Sequence, residues 1–481
     1  MNFKTITRNV GYALLVDALF MFIAFLVALF NGPDTSMAPL AISFLITFIV
    51  GIFPFIFVRK GSSISLKEGY VIIALSWLLS FIFGMMPFIL WGGPFTVLNA
   101  WFESVSGFTT TGASILEDVS VLPKGLLFWR SSTHFVGGLG VVVFLLLIIP
   151  TSSPMRLRLT NMELSSLSRE SYRSRANQTV YIFTSVYLVL NLLAFLAYWI
   201  AGMSVFDAVC HAFSVCATGG FSTKTQSIAS FGSLPITLIT MVFMYLGALH
   251  FGMLFMVVMR RSIAPLRNDV FKFFTAALLT ASLIVALSLH FDAGLSWGRS
   301  LLDGSFQVLS YATTTGFAIT DNSEWPQLAA VILVFMSIFC GMAGSTSGGI
   351  KSDRALIVFR KLRQQVRHAI NPSSVSEIRL NGRPLSEGDV TPHVIYLIVF
   401  MALFSISVLL CNVFGSHNSV TGTIASLCNV GPSIGDIGSL GNFNAEPASC
   451  KFIYTLNMFF GRVEIYPVLA VFSIIFNGRR G

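Results

Sequence analysis

Charge is what this 481-residue chain has least of. Asp, Glu, Lys and Arg fill 11% of its positions, against roughly a quarter in soluble domains, which excludes a water-soluble globule. Cysteine is also sparse. Cys210, Cys216, Cys340, Cys411, Cys428 and Cys450 form no CxxC pair and no zinc-type spacing, so redox and structural-metal chemistry have no basis. In apolar segments each acts as a small hydrophobe. The seven histidines are scattered, and no Ser/His/Asp or Cys/His set has supporting context, so no enzymatic activity is expected. The first apolar run lacks a small-residue cleavage site after it, which reads as a retained span over 10–30 and not a signal peptide.

Apolar residues take the positions that charge leaves. They make up 54% of the chain, and many runs exceed the ~18 residues with which a helix crosses a bilayer. The prediction is an all-α polytopic membrane protein. Hydropathy places ten spans near 10–30, 37–58, 70–92, 126–150, 178–201, 233–259, 273–291, 327–350, 393–413 and 452–477. The net charge of +9 sits in the connections: Lys4 and Arg8; Arg59, Lys60 and Lys67; Arg156, Arg158, Arg169, Arg173 and Arg175; Arg260, Arg261, Arg267 and Lys272; a basic segment over 351–389; and Arg479 with Arg480. Ten spans put all of these groups on one side, which the positive-inside rule makes cytoplasmic, with both termini inside. The basic excess therefore implies a lipid bilayer as partner and no nucleic acid.

Four shorter apolar pieces, near 97–107, 206–216, 301–312 and 418–428, are too short to cross and suit re-entrant segments. Each runs into a polar, glycine-bearing tract: "ESVSGFTTTGAS" from Glu103, "HAFSVCATGGFST" from His211, "QVLSYATTTGFAIT" from Gln307 and "ASLCNVGPSIG" from Ala425. Aligned on Gly112, Gly219, Gly316 and Gly431, the tracts recur at separations of 107, 97 and 115 residues. Such a repeat predicts pseudo-symmetric modules around a central pore. The divisions are a two-span unit over 1–66, then modules over 67–155, 156–266, 267–388 and 389–481. Non-helical backbone at membrane depth is tolerated only inside protein or along a water-filled cavity. A ring of its carbonyls can replace the hydration shell of a potassium ion without any carboxylate. Glycine lets the strand adopt conformations that a Cβ obstructs, and Thr hydroxyls add ligands. Half-helices would aim their negative C-terminal ends at the cation.

The tracts, with "GGLGVVVFLLLIIP", "CGMAGSTSGGIKSDR" and "NMFFGRVEIYPVL", carry a resemblance that runs essentially from end to end. The chain resembles the TrkH-like membrane subunits of bacterial Trk-type potassium uptake systems, in the Trk/Ktr/HKT superfamily. The resemblance implies potassium as the transported ion, with no organic cofactor in this chain. It further implies a homodimer, a cytosolic nucleotide-binding TrkA-like regulatory subunit and a bacterial inner membrane. The implied filter is Thr110-Thr111-Gly112, Ala217-Thr218-Gly219, Thr314-Thr315-Gly316 and Asn429-Val430-Gly431. The fourth strand departs most, with Asn and Val at Thr positions, and such inequality implies modest selectivity over sodium. Passive conduction and symport with protons or sodium both remain open.

Between the filter and the cytoplasm, two features stand out. Gly341, Gly344, Gly348 and Gly349 in "CGMAGSTSGGIK" each weaken a helix by ~1 kcal/mol relative to Ala, favouring a break after Phe339. By resemblance this loop, with Ser345, Thr346, Ser347 and Lys351, obstructs the pore beneath the filter; tight helix packing through small residues is the competing reading. A phosphate loop lacks the required spacing and preceding strand. Arg462 falls about 10 residues into the last span, where a charge costs ~3 kcal/mol or more and faces a cavity or partner. By resemblance it is an electrostatic barrier in the pore, and a salt bridge with Glu464 is the alternative. Asp17 is expected to pair with a neighbouring helix or, less simply, relay protons. Arg130 and His134 are expected to brace the first module. "RALIVFRKLRQQVRHAI" reads as a basic helix leaving the membrane, suited to anionic lipid or to a regulatory ring.

Overall fold

The computed structural model describes residues 2–32, 34–59, 65–147, 176–373, 377–463, 465, 468–469 and 473–474. The expectations for Lys60, the arginines over 156–175, Glu464, Arg479 and Arg480 lie outside these residues. The described chain is mostly helical. An N-terminal pair, α1 (Phe3–Phe30) and α2 (Met37–Phe57), precedes four units of the same plan. Each unit has a first span, a half-helix, an extended tract and a second span. In order these are α3 (Leu66–Gly84) with α4 (Met86–Trp91), α5 (Val97–Phe108) and α6 (Lys124–Leu147); then α7 (Ala176–Ile200), α8 (Val205–Cys216), α9 (Leu234–Ala248) and α10 (Phe251–Met259). The third unit comprises α11 (Asp269–Phe291), α12 (Trp297–Ala312), α13 (Gln327–Ile338) and α14 (Ser352–Ile370), and the fourth α15 (Glu387–Val413), α16 (Ser419–Leu427) and α17 (Ala448–Val463).

Among the described residues, six stretches of helix are long and apolar enough to cross a bilayer, and the α9–α10 pair makes a seventh if counted as one span. Lipid-facing chemistry is plain on α2, where Leu45, Ile49, Phe53 and Ile56 are exposed. Its inner side meets α1 through two glycines: a Cβ on Gly11 would lie 2.8 Å from the Gly51 carbonyl oxygen. Small residues permit this approach where no hydrophobic effect drives helices together. Asp17 is fully buried in α1 and accepts a 2.6 Å hydrogen bond from Ser80 of α3, so it links two helices.

Two predicted spans are not continuous. The span expected over 233–259 breaks between α9 and α10, which meet at a bend of 106°. Hydropathy runs unbroken through "GALHFG", and no proline marks the site. His250 takes an extended conformation there, and its Nδ1 accepts from the Met253 amide at 3.2 Å, capping α10. The span expected over 327–350 ends at Ile338. Phe339–Cys340 pairs in parallel with Ile350–Lys351, closing the base of the glycine-rich loop, and α14 continues beyond.

Candidate functional site

The four half-helices run 12, 12, 16 and 9 residues and end in one motif. Thr110, Thr218, Thr314 and Asn429 all adopt left-handed backbone, with φ of 51°, 53°, 56° and 55°. The amide of the following residue reaches five residues back at 2.9 Å in every copy: Thr111 to Ser106, Gly219 to Ser214, Thr315 to Ser310 and Val430 to Ala425. This is a Schellman ending, which normally places glycine or asparagine at the left-handed residue. Three threonines there are strained, of the order of 1–3 kcal/mol each, a device that clusters at functional sites. Asn429, the apparent outlier in sequence, is the residue best suited to this conformation.

The motif also sets the register. Two residues past each left-handed position stand Gly112, Gly220, Gly316 and Gly431, all with positive φ. The alignment on Gly219 is therefore off by one in the second strand. Ala217 is the C-terminal cap of α8, matching Thr109 and Thr313, and the strand proper is Thr218-Gly219-Gly220. Adjacent glycines made the sequence ambiguous, and the helix ending resolves it.

These strands form a closed ring. A Cβ on Gly112 would fall on the carbonyl oxygen of Gly219; on Gly220, on that of Thr315; on Gly316, on that of Val430; on Gly431, on that of Thr111. Each strand thus abuts the next, in chain order, and the fourth returns to the first. The outer loops repeat the closure. Val119 donates to Thr225 at 3.1 Å, Ala229 to Ala318 at 3.2 Å, the Tyr311 hydroxyl to Ser433, and Phe443 to Ser114 at 2.8 Å. All four ring glycines line one cavity of about 80 Å³, together with Arg130, Ser222 and Lys224. Outside the spans, Asp118 accepts from Thr225 and Ser120, and these bonds hold its carboxyl below the usual range.

Within the ring, the residues at the first two strand positions are buried. No described residue donates a hydrogen bond to the carbonyls of Thr110, Thr111, Thr218, Gly219, Thr314, Thr315, Asn429 or Val430. Buried carbonyls are normally paired. The Thr110 hydroxyl and Asn429 Oδ1 are likewise buried and without a partner among the described residues. A dehydrated cation fits such oxygens, and their neutrality suits a monovalent one.

Polar side chains brace the ring seven residues before three of the four left-handed positions, a set that sequence reading left without a role. Glu103 accepts from Ser114 and the Ile115 amide and pairs with Arg130 at 2.5 Å, both side chains buried. Arg130 also donates to the Ser222 carbonyl at 3.1 Å and lies over Phe221, tying strand one to strand two. His211 bonds Ser222 at 2.9 Å, and Gln307 bonds the Thr320 carbonyl at 3.0 Å. In the fourth copy this position is Gly422, where a Cβ would meet the Tyr454 hydroxyl. His134 stacks on Phe221 with centroids 4.1 Å apart. Arg130 and His134 thus brace both the first and second strands.

Directly beneath lies the glycine-rich loop. Gly348 donates to the Thr314 hydroxyl at 2.8 Å, and Thr346 donates to the carbonyls of Cys216 and Gly247 at 2.9 and 3.1 Å. Ser345 and Ser347 bond each other at 2.9 Å, while Lys351 caps the Ser347 carbonyl and helps fold the loop. Gly341 abuts Ala248, and Gly349 turns with positive φ beside Cys340. Arg462, 5% exposed, donates to the Thr346 carbonyl and, at 3.3 Å, to that of Gly137. It therefore joins the loop to the first unit. In the basic segment, Arg360 pairs with Asp269 at 2.9 Å, Lys361 with Glu387 at 2.6 Å, and Arg354 lies over Tyr396. Part of that charge is used inside the fold.

Comparison with known proteins places the chain among relatives of one family and one fold. Residues 37–479 match the family model described as "TrkH: Cation transport protein". The Trk system potassium uptake protein TrkH of Salmonella typhimurium is 32% identical, covering 99% of each chain. TrkI of Halomonas elongata is 34% identical over 80% of this chain and 79% of its own. The crystal structure of the potassium transporter TrkH from Vibrio parahaemolyticus superposes with a TM-score of 0.89 at 28% identity, covering 99% of this chain and all of that one.

Proposed function

This chain belongs to the TrkH family of cation transport proteins, and on that premise we propose that potassium crosses the membrane through its four-strand ring. The ion is coordinated by the carbonyls of Thr110 and Thr111, Thr218 and Gly219, Thr314 and Thr315, and Asn429 and Val430. Gly112, Gly220, Gly316 and Gly431 let the strands close around it. One observation carries this reading: eight carbonyls of buried residues, from four sequence-distant strands, lack a donor among the described residues. Unpaired oxygens there are costly unless a cation or water in a pore compensates them.

The loop over 340–350 is the gate, and Arg462 holds a positive charge beneath the filter that opposes leak. Support comes from the loop's bond to Thr314, a filter residue, and from the guanidinium's contact with Thr346. The four units act as modules with divisions near 67, 156, 267 and 389, after an N-terminal pair of spans. The relatives are named as parts of a Trk system, which supports a multi-component assembly here: a homodimer with a cytosolic nucleotide-binding TrkA-like subunit docking near α14. The basic connections favour an inner-membrane orientation with both termini cytoplasmic.

Potassium and sodium flux into proteoliposomes tests the filter. Gly316→Ser is expected to abolish uptake or the preference for potassium, because its side chain meets the Val430 carbonyl. Unchanged ion preference in a folded variant would remove the filter from this ring.

A further inference from the structure

The break between α9 and α10 leaves backbone groups that a continuous helix would pair internally. The last carbonyls of α9 and the first amides of α10 need other partners. The glycine-rich loop supplies them. Met342 donates to the Ala248 carbonyl at 2.9 Å, Thr346 to the Gly247 carbonyl at 3.3 Å through its amide and 3.1 Å through its hydroxyl, and the Gly344 carbonyl accepts from Phe251 at 3.0 Å. His250, at the corner, presses its ring on Gly344, where a Cβ would lie 2.7 Å from the imidazole. The same ring caps α10 through Nδ1 and meets Phe183 edge-on at 5.6 Å. Two interruptions on different units, one at 249–250 and one at 339–351, thus satisfy each other.

We propose that the α9–α10 break is the seat of the loop, and that the loop's withdrawal is coupled to opening out of the bend, with His250 as the positioning residue. This rests on the reading of the loop as the gate. When the loop leaves, the Gly247 carbonyl and the Phe251 amide lose their partners together. They stand four residues apart, the spacing of an α-helical hydrogen bond, so helix re-forming across the corner pairs them with each other. The exchange keeps both groups satisfied inside the membrane, where stranding them is costly. Space exists for the movement: a cavity of about 450 Å³, lined by His250, Met253, Met342, Ala343 and Asp353, flanks the loop. Asp353 holds the Ala343 amide at 3.0 Å and stays with the loop's stem.

Two measurements on the full chain in proteoliposomes test this. A His250→Cys/Gly344→Cys pair, oxidised, pins the loop to its seat; potassium flux is expected to fall at least tenfold and to return on reduction. Flux that is equal in the crosslinked and reduced states overturns the proposal. The second measurement needs no residue at the seat to change. Spin labels at the exposed ends Leu234 and Met259 report the bend, and a variant lacking 341–349 supplies the loop-free state. The labels are expected to move apart, toward the roughly 15 Å longer separation of a continuous helix. If the deletion raises passive flux while the label distance stays at its wild-type value, the gate reading stands and the coupling is wrong. If the deletion leaves flux unchanged, the gate reading fails and this proposal with it.

Discussion

The ring of strands and the layer beneath it follow opposite rules. In the upper layer four strands share one helix ending, one backbone hydrogen bond of 2.9 Å and one glycine register, and each touches the next. Below, nothing is repeated: the loop comes from the third unit, the guanidinium of Arg462 from the fourth, and the broken helix from the second. The contrast has a physical origin. On the proposed function, coordinating a bare ion needs oxygens on all sides, so every strand must conform. Blocking a path one ion wide needs a single obstruction, and four equivalent loops on one axis would collide.

The largest test of this contrast is in the ring. Gly220→Ala puts a methyl on the Thr315 carbonyl, in a backbone conformation that disfavours side chains. Loss of potassium-dependent growth and of measurable uptake is expected. Ala217→Gly changes only a helix cap and is expected to cost about 1 kcal/mol or less in stability, with ion preference intact. If Ala217→Gly destroyed selectivity and Gly220→Ala did not, the register drawn from the helix endings would be wrong. Below the ring the effect is smaller and of opposite sign. Arg462→Gln removes a charge near the path, and each ~1.4 kcal/mol taken from the barrier raises passive flux tenfold. The potassium-to-sodium ratio should stay the same, since the carbonyls are untouched; a changed ratio would mean that the two layers are not separable.

Much of the upper layer was legible in the sequence because periodic chemistry survives divergence. Four tracts with a glycine at near-equal spacing announce four strands, and the half-helices match their expected bounds to within a few residues. What escaped was set by three-dimensional complementarity. Two adjacent glycines gave no reason to choose Gly220 over Gly219 until the left-handed Thr218 fixed the count. Glu103 began the first tract, yet its meaning depends on Arg130, 27 residues away on another helix. The break at His250 carried little signal, because "GALHFG" lies inside one long apolar run without a proline and its corner is held by a loop about 90 residues later. The other break was readable, since four glycines in nine residues cannot hold a helix.

The bracing pair gives a third test, of intermediate size. Glu103→Gln leaves Arg130 as an uncompensated buried charge, which costs about 3–5 kcal/mol where one partner of such a pair is removed. Thermal unfolding in detergent should shift down by several degrees. Restoring neutrality with Arg130→Met should recover part of that loss, while selectivity falls because strands one and two lose the link through Ser222. A double variant no more stable than the single one would show that the charge is not what makes Glu103 matter.

The smallest expected effect falls on a carboxylate that is no part of the ring. Asp17 lies in the N-terminal pair, outside the four units, and its only hydrogen bond among the described residues comes from Ser80. An asparagine can accept that bond with nearly the same shape, so Asp17→Asn should change stability by no more than about 1 kcal/mol. Symport with protons would instead require a titrating group along the route, and the strands themselves hold none. The measurement is the reversal potential in planar bilayers under a proton gradient. If the ion path is the ring of uncharged oxygens, it should follow potassium alone in both proteins. A proton-dependent shift present in the natural chain and absent in Asp17→Asn would move part of the transport chemistry out of the filter and into a helix pair that the fourfold plan does not include.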